Sequence, residues 1–273
     1  MKKLRIFIKK YLPGPLIDIL RLLRDKYFCV DYIRAILIYP LNMIKSFVVS
    51  KHYFPNPTDA AKRFFNYNYE LLPNSFLRDQ ERGVANIDSA IEKTGLSIGY
   101  PAWNLLYYSL LCSLSDISRE VVVIETGTNQ GYSTIVLAQA LNDINANGYV
   151  HTVDLSESNI ELAKKNVEKA GLIKYVKFYK ANAVAFLEDF AKKVKYVDFI
   201  FIDDLHEFSH IKKEFSIIYP RIVACNGKAY FDNTSQGGVR NALRFIKKAY
   251  PGDIIEFRNC SWNPPGNAIW QSY

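Results

Sequence analysis

From about Glu120 onward two hydrophobic rhythms alternate along the chain. Short runs that are apolar at nearly every position, rich in Val, Ile, Phe and Tyr, give way to stretches whose apolar residues recur every three or four positions. Near-continuous apolar runs are what a strand buried on both faces needs, and the three-to-four period is that of an amphipathic helix. The runs predict strands over Val121–Thr126, Tyr149–Leu155, Val176–Lys180, Val197–Asp203, Lys228–Asp232, Asp253–Arg258 and Ala268–Ser272. Strand and helix in alternation predict an α/β fold, a doubly wound and mostly parallel sheet with helices on both faces. The last two strands have no helix between them and are expected to pair antiparallel.

One helix is legible in detail. After Asp154, Ser158 and Glu161 have the spacing of a capping box, and Ile160, Ala163, Val167 and Ala170 make one apolar face. Gly171 stands where a left-handed cap would end that helix.

The first 118 residues read differently. Residues 1–55 are basic and broken by Pro13-Gly14-Pro15 and Pro40, with Leu16, Ile19, Leu20, Leu23 and Tyr27 at helical spacing. Residues 56–118 read as a mixed helical cap region, in which Tyr100–Leu114 is apolar enough to be a buried helix with Trp103 in the core. The expected organisation is therefore a basic segment (1–55), a helical region (56–118) and an α/β domain (119–273).

Charge follows the same division. Residues 1–53 hold 11 Lys and Arg against three acids, an excess of eight, and the whole chain carries +8. The α/β domain is therefore close to neutral, which weakens a nucleic-acid reading of the basic pI, because RNA or DNA would need cations lining the catalytic face. The most apolar N-terminal window is interrupted by Asp31, Arg34, Asn42 and Lys45, which makes a poor membrane span. Its basic amphipathic character fits an interfacial segment on an anionic membrane, with a helix packed on the main domain as the alternative. The expected location is cytoplasmic, either free or peripheral at the inner face of a membrane. Cys29, Cys112, Cys225 and Cys260 lie far apart with no Cys-x-x-Cys pair, which argues against a disulfide framework or a structural zinc site.

Candidate chemistry begins at the first strand. "VVVIETGTNQGYS" ends in Glu125 and turns through Gly127, Thr128, Asn129 and Gly131 before a helix starts near Tyr132 and Ser133. Such a turn, at the carboxyl end of the first strand, is a usual ligand site of open α/β sheets. Asn129 stands where a dinucleotide fingerprint would have its second glycine, and a P-loop would need a Lys that is absent. Helix N-terminal amides near Gly131–Ser133 suit a lone carboxylate. Asp154, ending the second strand, is placed as for a ribose diol. Carboxylate and ribose together describe S-adenosylmethionine.

These residues resemble the class I S-adenosylmethionine-dependent methyltransferases across roughly Glu120–Tyr273. "VIETGTNQGYS" looks like their first motif and "KANAVAFL" like their third. The resemblance implies that Glu125, Gly127 and Ser133, with the rest of the turn, surround the methionine part, that Asp154 holds the ribose and that Asn182 lies near the adenine. It also implies a seven-stranded sheet with the last strand reversed.

"VDFIFIDDLHEF" and "KAYFDNT" bring Asp203, Asp232 and Asn233 to the ends of the fourth and fifth strands. Three such oxygen ligands suit Mg²⁺, and the pattern resembles the cation-dependent catechol-type O-methyltransferases. That family has a Lys three positions after the first Asp, where this chain has His206. An imidazole can take a hydroxyl proton near neutral pH. His206 is therefore the expected general base, with Asp203, Asp232 and Asn233 as metal ligands or, without metal, as positioning groups. The expected acceptor is a small hydroxylated molecule or a sugar of a glycan.

Three other readings remain open at this point. "HEFSH" (His206, Glu207, His210) fits the zinc peptidase helix literally, though within a strand–helix series and with no clear third ligand. A nucleic-acid methyltransferase and a non-catalytic binding protein on the same fold are the others. Trp262 and Asn263, stiffened by Pro264-Pro265, and the loop "NTSQGG" are candidate walls of an acceptor pocket.

Overall fold

The computed structural model describes residues 70, 72–82, 102–114, 117–257 and 266–273. The basic segment 1–55, Cys29, Cys260 and the Trp262–Pro265 stretch lie outside the described residues.

In chain order the elements are α1 (Ser75–Glu81), α2 (Ala102–Leu114), β1 (Val121–Thr126), α3 (Tyr132–Asp143), β2 (Gly148–Asp154), α4 (Glu157–Lys169), β3 (Val176–Lys180) and α5 (Ala183–Lys193). They continue with β4 (Phe199–Ile202), α6 (Phe208–Val223), β5 (Lys228–Phe231), α7 (Gly237–Ala249), β6 (Asp253–Phe257) and β7 (Asn267–Gln271). One seven-stranded sheet runs in the order β3-β2-β1-β4-β5-β7-β6. Neighbours from β3 to β5 are parallel, whereas β7 is antiparallel to both β5 and β6. The expected antiparallel final pair and reversed last strand are both present.

Strand periodicity divides the core in two. Val121, Val123, Phe199, Phe201, Tyr230 and Ile269 face α2 and α3 on one side of the sheet. Val122, Ile124, Ile200, Ile202, Phe231 and Trp270 face α5, α6 and α7 on the other. Alternate side chains of a strand point to opposite faces, so each strand feeds both layers and reads as a continuous apolar run. Helix α2 is part of the first layer: Trp103 is fully buried and stacks on Tyr132 at 5.9 Å between ring centroids.

Two local expectations shift. The cap of α4 is Ser156, whose side chain accepts from the Asn159 amide at 3.3 Å. Ser158 lies inside the first turn and Glu161 pairs instead with Lys164 at 3.2 Å, so the capping box is not made. Asp154 explains the difference, because its carboxylate takes the Ser156 amide at 2.8 Å and starts the helix two residues early. Strands β2, β4, β5 and β7 each end one residue before the expected limit. At β2, β4 and β5 the residue thereby left off a strand end or its extension is Leu155, Asp203 or Asp232, two of them the acids of interest.

The order reverses between β1 and β4, where one crossover runs toward β2 and the other toward β5. A ligand crevice opens above the carboxyl ends at such a switch point. Asp203 donates its amide to the Thr126 carbonyl at 3.0 Å, tying the two strand ends together.

Candidate functional site

Above β1 and β2 the chain is stitched by carboxylates. Gly127 and Thr128 both give their amides to the Val153 carbonyl, at 2.9 and 3.3 Å. Gly127 has φ +93, and a Cβ there would collide with the Asp203 carbonyl and meet the Asp204 Cα at 2.9 Å. Glycine is needed here so that the first turn can lie against the end of β4. Gly131, at φ +81, similarly lets α3 begin 2.9 Å (from a built Cβ) against Ala163 of α4. Asn129, at φ +45, donates its amide to Asp154 Oδ2 at 2.9 Å. Asp154 also receives the Ser156 amide on Oδ1 and the Asn159 side-chain amide at 3.2 and 3.3 Å. A carboxylate has about four acceptor positions, and the protein's own donors occupy all of them.

Glu125 is fully buried at the end of β1. Thr152 donates to its Oε2 at 2.6 Å and the Thr134 hydroxyl donates to the same oxygen. Oε1 has no hydrogen-bond partner among the described residues. Burial pushes this carboxyl up to about 7; the Ser133, Thr134 and Thr152 hydroxyls oppose the shift and Asp203 adds to it.

The remaining residues expected on this side are placed as follows. Tyr132 directs its ring into the packing between Phe76 and Trp103. Thr128 bonds the Thr152 hydroxyl at 2.6 Å. Asn182 caps α5, its side chain accepting from the Ala185 amide at 3.2 Å. Ser133 sits beside Glu125 on the first turn of α3.

The second cluster lies where β4, β5 and β7 end. His206 Nε2 is 3.2 Å from Asp203 Oδ1, and its Nδ1 is 3.4 Å from Gln236 Nε2. A Cβ on Gly238 would strike the His206 carbonyl, so the start of α7 packs directly on this loop. Asp232 is buried, with Asn233 donating to Oδ2 at 3.2 Å and Asn267 donating to Oδ1. Asn233 takes the left-handed conformation, φ +55, and turns the chain sharply after β5. Burial raises the Asp232 carboxyl well above its ordinary range, and the nearby Asp203 raises it further. Burial also raises Asp203, against the opposing pull of His206. Asp203 thus lies near enough to Asp232 to act on its charge, and Asn233 bonds Asp232 directly.

The zinc peptidase arrangement is not formed. Helix α6 begins at Phe208 with Glu207 as its cap, so His206 lies in the preceding loop, off the helix that carries His210. His206 pairs with Asp203, whereas His210 pairs with Asp204 at 2.8 Å.

Two participants were not singled out from the sequence by residue. Asn267 comes from the reversed strand β7, paired beside β5, and Gln236 comes from the start of α7. "NTSQGG" as a candidate wall did include Gln236, but nothing in the local pattern marks Asn267.

Residues 124–234 match the family described as "Methyltransferase domain". A protein-L-isoaspartate O-methyltransferase of Staphylothermus marinus is 46% identical over 103 residues, covering 37% of this chain and 44% of that protein. A catechol O-methyltransferase of Niastella koreensis is 28% identical over 141 residues, covering 48% of this chain and 62% of that one. The chain thus spans about half the length of these curated relatives. The structure of an O-methyltransferase from Bacillus cereus in complex with SAH superposes with a TM-score of 0.58 at 17% identity, covering 79% of this chain and 96% of that one. The matched segment contains Glu125, Asp154, Asp203, His206, Asp232 and Asn233, and the sheet order and the crevice at its switch point agree with the match: residues 124–234 are similar to a methyltransferase domain, on the fold of a solved O-methyltransferase.

Proposed function

We propose that this protein transfers the methyl group of S-adenosylmethionine to a hydroxyl of a small or sugar-bearing acceptor. The observation that carries the reading is the Asp203–His206 pair. It stands on the loop whose backbone Gly127 touches, which sets a hydrogen-bonded imidazole beside the donor turn.

The donor side fits a nucleoside amino acid. An ammonium over the first turn would give Glu125 Oε1 the donor it lacks. A ribose diol would replace the two longer Asn159 contacts on Asp154, leaving the two backbone amides in place. The donor supplies an electrophilic methyl on a sulfonium. His206, with Nε2–H directed at Asp203 Oδ1, accepts the hydroxyl proton at Nδ1 after displacing the long Gln236 contact. Asp203 orients the ring and stabilises the imidazolium that results. The O–CH₃ bond forms as the C–S bond breaks, and in-line positioning accounts for much of the rate.

The neighbouring oxygens are suited to Mg²⁺. Burial raises the carboxyls of half-buried Asp203 and buried Asp232, Asp203 raises Asp232 further, and a hard divalent cation would remove that cost. Asp203, Asp232 and Asn233 would hold it, and it would lower the pKa of the acceptor hydroxyl. Residues 1–53, with their excess of basic charge, are proposed to bring the enzyme to an anionic membrane surface. No helix among the described residues is long and apolar enough to cross a membrane.

Methyl transfer to a panel of hydroxylated acceptors, with and without Mg²⁺, tests the activity. Calorimetric titration with the donor comes first; a chain that binds no donor, or prefers NAD, refutes the reading. Loss of vesicle binding on removing residues 1–53 tests the membrane role.

A further inference from the structure

The segment from Asp203 to His210 contains two His–Asp pairs, and the proposed methyl transfer uses one of them. The other joins His210 to Asp204, with Nε2 2.8 Å from Oδ2. One turn further along α6, Glu214 Oε2 lies 3.8 Å from the same nitrogen. One ligand atom from each of Asp204, His210 and Glu214 lies within 4.8 Å of the others.

Glu214 is the informative member. It is fully buried, and neither carboxyl oxygen has a hydrogen-bond partner among the described residues. Asp204 Oδ1 is also buried without one. Burial pushes the Glu214 carboxyl well above its ordinary range and Asp204 pushes it further, with only the nearby Thr126 hydroxyl opposing. A buried carboxyl without donors is costly to keep. Apolar residues fill the neighbouring positions Ile211, Phe215 and Ile218 on this face of α6, so the acid stands out as an exception.

We propose that Asp204, His210 and Glu214 form a site for a divalent cation of the zinc type, separate from the oxygen-only group of Asp203, Asp232 and Asn233. The donor set is one imidazole nitrogen and two carboxylates, which suits Zn²⁺ or Mn²⁺ better than Mg²⁺. Ligand atoms at about 2.0–2.2 Å from a tetrahedral ion lie roughly 3.3–3.6 Å apart. The 2.8 and 3.8 Å separations bracket that value, so small side-chain movements complete the site. His210 and Glu214 are one turn apart on a single helix, a rigid pair, whereas Asp204 comes from the loop after β4. A cation there would clamp that loop to α6. The same loop carries Asp203 and His206, and Gly127 abuts its backbone, so the clamp would hold the base and brace the donor turn together. Donor binding is not required for this site to exist.

The test uses the full chain, stripped by chelator and titrated with Zn²⁺, Mn²⁺ and Mg²⁺ by calorimetry, with metal content measured after dialysis. One Zn²⁺ per chain is expected. H210Q and E214Q should each weaken it about tenfold or more, while D232N should leave it unchanged. E214Q keeps the shape and removes the buried acid, so it is expected to fold without metal; Zn²⁺ should raise the melting temperature of the wild type and D232N and not that of E214Q. The site is disproved if Zn²⁺ is not taken up stoichiometrically, if H210Q and E214Q bind it as the wild type does, or if D232N alone abolishes it.

Discussion

The two halves of the crevice treat their carboxylates in opposite ways. Above β1 and β2, Asp154 is supplied with donors from Asn129, Ser156 and Asn159, so its charge is spent on holding a turn in shape. Above β4 and β5, Asp203 is half-buried and Asp232 is buried near it, and both are pushed toward the protonated form. A well-supplied carboxylate is a structural brace that a neutral ligand can share. Two carboxylates close together and shielded from water are a demand for positive charge, whether a cation, an imidazolium or a proton, even where Asn233 and Asn267 donate to one of them. Glu125 stands between these cases, with two hydroxyls on one oxygen and none on the other.

The largest expected effect is on the acceptor side. H206A should lower kcat by about 10²–10⁴-fold, the usual share of a general base, with donor affinity within about twofold of wild type by calorimetry. A variant as fast as the wild type would remove His206 from the chemistry and leave only the metal reading for this half.

G127A strikes the contact between the halves. The added methyl meets backbone of Asp203 and Asp204 at a left-handed residue, so a loss of about 3–4 kcal/mol in unfolding free energy is expected. Donor and acceptor binding should fail together, measured by denaturant melts and titration.

E125Q tests the intermediate case through pH. The folded-state pKa of Glu125 is raised to about 7 from 4.5, so the folded protein binds the extra proton. Its contribution is fully present below about pH 4.5 and lost as pH rises through 7, on the order of 3 kcal/mol at most. Wild-type stability should therefore fall over that window, and E125Q should flatten the fall. Equal slopes in the two proteins would show Glu125 to be ionised and satisfied throughout.

D154N is the mildest. It keeps the shape but weakens the acceptors for the Asn129 and Ser156 amides, which should cost about tenfold in donor Kd, near 1.4 kcal/mol. The Mg²⁺ response should be untouched, which separates this brace from the acids across the crevice.

Much of this was readable along the chain because it is local. The strands β1, β2 and β3, the Gly127 and Gly131 turn, and Asp154 and Asp203 at strand ends each depend on a few consecutive residues. The cap of α4 was misread because Asp154 outbids Ser158 for control of that helix start, an interaction local in space and set by the exit angle of β2. HEFSH was misleading for a related reason: spacing alone does not say where a helix begins, and α6 begins two residues after the first His.

Alternating apolar runs and periodic stretches by themselves determined a doubly wound α/β sheet, because burial on two faces or on one face leaves a different period in the chain. Tertiary structure alone decided which acids are satisfied and which are not. Asn267 reaches Asp232 only because β7 reverses beside β5, and Glu214 meets Asp204 only because α6 packs under the end of β1. Burial and the distance between charges set that balance, and both come from residues far apart in the chain brought to one place.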